Sequence, residues 1–197
     1  MAQGKQAKVL TDKQQDAVLS HLEATRHPAR NRVIFLLSMK AGLRAKEIAS
    51  LRWRGVCDAS GVVSDEIQIE DAGSKGKGGR TIPMNPKLRD ALEAYQAGEG
   101  FPASDCFVVQ TERSAGSAVL PQVIVNLFQR WFTDLGMHGA SSHSGRRTFI
   151  TNSAKKISTV GGSLRDIQQL AGHSSLQTTQ RYIEGSTEAK KKIVQLV

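Results

Sequence analysis

The chain has 197 residues, 39% of them hydrophobic and 23% charged, a composition that suits one globular domain or two small ones and excludes a disordered or fibrous chain. Its longest apolar run, Val33 to Leu37, is far short of the roughly 20 residues of a membrane span, and MAQGKQAKVL lacks the apolar stretch of a secretory signal, so the chain is expected in the cytoplasm. Twenty-seven Lys and Arg against 18 Asp and Glu leave +9, shared by both halves (16 basic and 11 acidic side chains in residues 1–98, 11 and 7 in 99–197), which favours a polyanionic partner.

Along the chain, Thr11 followed by Gln14 forms a capping box that opens a helix carrying Val18, Leu19 and Leu22. A second helical pattern, with Val33, Ile34, Leu36 and Leu37, ends at Gly42, a residue suited to a left-handed cap. Arg44 lies just beyond, at the start of a short helix with Ile48 and Leu51 at helical spacing, and Glu47 falls one turn after the arginine. EIQIE (66–70) alternates with period two and is followed, after DAGSKGKGG, by RTIPM, whose Pro83 suits a strand end. This is a β-hairpin with a basic tip.

Asn85 and Pro86 then fit the cap and first turn of a helix bearing Leu88, Leu92 and Tyr95, closed by Gly98, and CFVVQ (106–110) reads as a further short strand. Pro121 begins the strongest helix, with Val123, Ile124, Leu127, Phe128, Trp131 and Leu135 on one side before Gly136. Trp53, Phe128 and Trp131 are assigned to packing. From His143 the pattern stays helical; Ser163 and Asp166 cap a segment with Leu164, Ile167 and Leu170 that stops at Gly172, and Ser174 or Ser175 caps the next, with Thr178, Thr179 and Tyr182. The expected fold is mainly α with a small antiparallel β-sheet, in one domain.

The motifs of common enzyme classes are missing. GSKGKGGRT is neither a P-loop nor GxGxxG, and there is no GxSxG and no HExxH. Cys57 and Cys106 have no metal or redox spacing and read as free, buried thiols; His21, His27, His138, His143 and His173 form no HxxxH, so no metal site is expected. What remains is Arg44 at a helix start, Lys75 in a hairpin tip, His143 with Arg146 three residues on, His173, and Tyr182. Two arginines can clamp the non-bridging oxygens of a phosphodiester and offset the charge of its transition state. A tyrosine hydroxyl can attack the phosphorus, with lysine and histidine moving the protons.

These residues resemble the tyrosine recombinases of the phage integrase type, in four boxes that match in order. AGLRAKEIASLRW is similar to the first arginine box, which implies Arg44 as the first catalytic arginine and Glu47 as its supporting acid. SKGKGGRTIP is similar to the hairpin lysine box, whose catalytic lysine stands eight positions before the proline, at Lys75. HSGRRTFIT and AGHSSLQTTQRYI resemble the last two boxes, which implies His143, Arg146, His173 and the nucleophile Tyr182. The resemblance implies the integrase catalytic-domain fold and a DNA recombinase that cuts and rejoins double-stranded DNA through a 3′-phosphotyrosyl intermediate, with no cofactor. A type IB topoisomerase shares this chemistry, and a DNA-binding regulator of the same fold without cleavage is the non-enzymatic alternative.

The family pattern has threonine before Gly-Leu-Arg, and leucine and histidine around the second arginine; here Ala41, Gly145 and Arg147 stand in those places. Gly145 lowers helix propensity by up to roughly 1 kcal/mol, so the second arginine box is expected to be loose until DNA binds. Lys77 and Arg80 read as solvated charges that contact DNA phosphates, as does Arg147. Residues 1–197 are expected to form a single catalytic domain without a separate N-terminal core-binding domain, as an excised catalytic domain or a short recombinase. The resemblance further implies a homotetramer on DNA at synapsis, with the tail Lys190 to Val197 docking on a neighbour, and a nucleoid-associated location.

Overall fold

Short-range signals set most element boundaries. In the computed structural model, which describes residues 7–70, 79–112, 116–182 and 194–195, the hydroxyl of Thr11 accepts from the backbone of Gln14 while the Gln14 side chain accepts from that of Thr11. That box opens α1 (Asp12–Glu23). Helix α2 (Pro28–Lys40) buries every residue from Val33 to Met39, as a helix apolar on all sides must. It packs against α1, against α3 (Ala45–Ser50) and against α4 (Pro86–Gly98). Its end is marked by Gly42 at φ +66°, and a side chain there would also meet the Phe149 ring at 2.5 Å.

Strands β1 (Glu66–Ile69) and β2 (Arg80–Pro83) form the expected antiparallel hairpin, in register Ile67 to Ile82, and Pro83 sits at the strand end. Asn85 accepts from the backbone of Lys87 at the cap of α4. The segment 106–110 is not a strand. Phe107 makes one isolated antiparallel bridge, to Arg52, and the pairing stops there because the partner segment turns into a 3₁₀ helix at Trp53–Gly55.

Helix α5 (Pro121–Asp134) turns Ile124, Phe128, Trp131 and Phe132 inward, while Val123 and Leu127 lie at the margin of the expected stripe. Phe35, Trp131 and Phe132 surround the Phe128 ring at centroid distances of 6.3, 5.2 and 5.9 Å. Trp53 is buried as well, 5.9 Å from Tyr95. Helix α6 (Ser142–Lys156), a 3₁₀ turn (Ile157–Val160), α7 (Leu164–Ala171) and α8 (Leu176–Gln180) complete the described elements. Ser163 and Asp166 make the second expected capping box, and Ser175 rather than Ser174 caps α8.

Backbone contacts gather the chain into two compact units, Met1–Phe149 and Ile150–Val197. The first contains α1 to α5, the hairpin and the start of α6; in the second, α7 packs on α8. Cys57 and Cys106 are free but half-buried rather than buried. Among the described residues, no helix is long and apolar enough to cross a membrane.

Candidate functional site

The left-handed turn at Gly42 ends α2 and swings the chain directly into α3, so Arg44 becomes the residue capping that helix. Glu47, in the first turn of α3, accepts the Arg44 backbone N–H at 2.8 Å and its guanidinium at 2.9 Å. The same carboxylate takes a two-pronged bond from Arg80 on β2, at 2.7 and 2.9 Å. Burial acts to raise the Glu47 carboxyl, but the hydrogen bonds from Arg80 and from the Arg44 backbone, with both arginine charges, hold it down to about 2. Arg80 is thus half-buried and ion-paired, not the solvated hairpin charge that its loop context suggests.

Arg146 comes to the same turn from the far end of the unit. Its side chain projects from the first turns of α6, is only 5% exposed, and donates to the carbonyl of Gly42 at 2.7 Å. The Arg146 guanidinium is therefore anchored at the α2–α3 turn, two residues before Arg44, although the two arginines lie 102 positions apart in the chain. His143, one turn before Arg146 on α6, is exposed, and Arg147 is half-buried. Gly145 lies within the helical turns of α6. A Cβ there would stand 2.2 Å from the Ser38 hydroxyl and 2.8 Å from its Cβ, so the missing side chain is what lets the first turn of α6 pass this close to Ser38 on α2.

His173, Thr179 and Tyr182 belong to the second unit. Gly172, in the left-handed conformation at φ +60°, ends α7 and delivers His173 to the start of the next turn. The His173 ring is held two ways: Nδ1 shares a 2.9 Å hydrogen bond with the buried Thr179 hydroxyl, and the ring stacks on Tyr182 at 5.5 Å; the Gln168 amide, donating to the His173 carbonyl at 3.0 Å, holds its backbone. Both rings are half-buried.

The first unit thus assembles Arg44, Glu47, Arg80 and Arg146, and the second assembles His173 and Tyr182. Lys75 and Lys77 lie outside the described residues, as does the tail Lys190 to Val197 apart from Val194 and Gln195. Among the described residues, no group of three or more His, Cys, Asp or Glu side chains is arranged to hold a metal ion. The sequence reading missed two partners. Arg80 shares a strand face with buried Ile82, two residues on, and that alternation was a usable sign of its inward turn. Thr179 carried no comparable signal, since nothing local distinguishes a buried helical threonine from an exposed one.

Residues 8–188 match the phage integrase family, and the chain belongs to it. It is 29% identical over 185 residues to the tyrosine recombinase XerA of Thermococcus onnurineus (strain NA1), covering 94% of this chain and 61% of the relative. It is 29% identical over 170 residues to the tyrosine recombinase XerC of Myxococcus xanthus, with 83% and 53% covered. The chain therefore spans little more than half the length of these relatives. In fold it is similar to the crystal structure of XerA recombinase, with a TM-score of 0.74 at 19% identity over 100% of this chain and 65% of the other. It is also similar to XerH site-specific recombinase bound to its difH substrate, with a TM-score of 0.72 at 18% identity over 98% and 55%.

Proposed function

We propose that this chain is the catalytic domain of a tyrosine site-specific recombinase that cuts and rejoins double-stranded DNA. The observation that carries this reading is the 2.7 Å bond from buried Arg146 to the Gly42 carbonyl, which holds a second guanidinium at the turn presenting Arg44. A pair of arginines so placed neutralises both non-bridging oxygens of a phosphodiester. Tyr182 is the nucleophile: its oxygen attacks the phosphorus, the bond to the 5′ oxygen breaks, and a 3′-phosphotyrosyl link forms. Lys75 gives the departing 5′ oxygen its proton, while His143 and His173 assist proton transfer and hydrogen-bond the phosphate. With Nδ1 of His173 engaged by Thr179, Nε2 is the nitrogen assigned to the phosphate. The phosphotyrosyl bond conserves the energy of the broken linkage, so rejoining needs no nucleotide.

The +9 charge supports nonspecific attraction to duplex DNA. Lys77 and Arg147 serve as phosphate contacts, and four protomers assemble at synapsis, with Lys190 to Val197 as the docking segment. The test is covalent trapping: the whole chain is incubated with a library of nicked suicide duplexes, and the attached DNA is recovered from denaturing gels and sequenced. The wild type should yield an adduct on a common core sequence, and Tyr182→Phe should bind DNA yet yield none. An adduct that persists in Tyr182→Phe refutes the assignment.

A further inference from the structure

Strand alternation puts Arg80 on the same face of β2 as Ile82, which is 1% exposed, and the Arg80 side chain is itself only 15% exposed. A charge turned inward needs a counter-charge with matching geometry. Glu47, 33 residues earlier and also 15% exposed, supplies it through two parallel N–H···O bonds. The same two oxygens hold Arg44, one through its backbone and one through its guanidinium, so a single carboxylate gathers four N–H groups from two arginines. Each group limits the freedom of the others. A carboxylate pinned by Arg80 presents a fixed acceptor to the Arg44 guanidinium, whose side chain is 44% exposed. Close approach secures the strand end as well: a Cβ on neighbouring Gly79 would meet the Ile69 carbonyl at 2.8 Å.

We infer that Arg80 is a positioning residue: acting through Glu47, it holds the Arg44 guanidinium in the orientation that clamps the scissile phosphate, and it is not itself a source of DNA affinity. The inference rests on the recombinase reading above. It also replaces the direct phosphate contact that the sequence alone suggests for Arg80, and the two roles differ in what they change. A direct contact contributes affinity, so its loss weakens binding and lowers the slope of log K against log salt by about one. A positioning residue leaves binding alone and slows the chemical step.

The experiment uses the full chain and the duplex recovered by trapping the wild type. Arg80→Gln should bind that duplex with unchanged salt slope but cleave it, at saturation in single turnover, roughly 10- to 100-fold more slowly, the scale of loss from misplacing a catalytic group. Glu47→Gln should be slowed similarly, and the double variant no more than the slower single. Arg80→Lys, which keeps the charge without the fork, should fall between wild type and Arg80→Gln and covers the case in which the glutamine variant fails to fold. The decisive arm replaces the scissile phosphate by a methylphosphonate, which lacks the negative charge that Arg44 neutralises. The penalties of Arg80→Gln and Arg44→Ala relative to wild type should shrink together on that substrate. An equal Arg80→Gln penalty on both substrates means general loosening and overturns the inference, as does a variant that loses affinity and one unit of salt slope while cleaving normally. Failure of the recombinase reading looks different, because the wild type then forms no Tyr182 adduct. The coupling is still read without DNA: Arg80→Gln should shift the Nε–H NMR resonance of Arg44, and an unmoved resonance overturns the inference by itself.

Discussion

Glu47→Gln keeps the shape of the side chain and removes its charge, and the structure gives a magnitude. A carboxyl that passes from an ordinary 4.5 to about 2 on folding contributes about 3 kcal/mol of pH-linked stability at neutral pH. Both partners in the Arg80 pair are 15% exposed, so water screens little of this. The sign follows from the direction of the change. The folded-state value is depressed, so the contribution is fully present above about pH 4.5 and drains away as the pH falls towards about 2, with roughly 1.4 kcal/mol left near pH 3. Glutamine does not titrate, so the wild-type minus Glu47→Gln difference isolates this one group from every other carboxylate. Urea unfolding followed by tryptophan fluorescence measures it. Trp53 and Trp131, 1% and 2% exposed, both lie in the unit that holds Glu47. The gap between the two proteins should be flat from about pH 7 to pH 5 and narrow by about 1.5–2 kcal/mol by pH 3. A gap that stays constant to about pH 3 refutes the idea that the arginines hold this carboxyl down.

Gly145→Ala gains up to about 1 kcal/mol of helix propensity but forces α6 away from Ser38, and overpacking of this kind costs about 1–3 kcal/mol; calorimetry should show a lower Tm. Adding Ser38→Gly removes the two closest atoms and should recover part of the loss, whereas a Gly145→Ala protein as stable as wild type contradicts the close packing. Thr179→Val removes the hydroxyl at Nδ1 of His173; cleavage should slow by up to roughly tenfold, with Thr179→Ser near wild type, and a valine variant at full speed removes Thr179 from the site. Lys75→Ala should cleave ordinary DNA about 10²–10⁴-fold more slowly and recover on a substrate whose bridging 5′ oxygen is sulfur, a leaving group that needs no proton. Rescue of Lys77→Ala instead identifies the other lysine as the acid.

The features legible in the sequence are those closed within a few residues. Thr11 with Gln14, Ser163 with Asp166, and Asn85 with Lys87 each complete their hydrogen bonds inside one helical turn. Gly42, Gly136 and Gly172 stop their helices because their own backbones sit at positive φ. Such choices depend on local energies, so residue types at short spacing were enough to place most helices and the hairpin. The run CFVVQ was ambiguous for the opposite reason: its apolar pattern fits a strand, but whether a ladder forms depends on the partner, and that partner turns into a 3₁₀ helix at Trp53.

Only the tertiary structure decided how the candidates are held. Arg146 anchors to Gly42 across 104 positions, and Arg80 finds Glu47 across 33. Read locally, Gly145 is a weak helix former; read against Ser38, it is the clearance that the close approach of these two residues requires. Composition and spacing report which groups a chain carries. Which of them lose water, and against which partner, depends on burial created by segments remote in sequence, and burial is what turned Arg80 from a solvated charge into one arm of an ion-pair network.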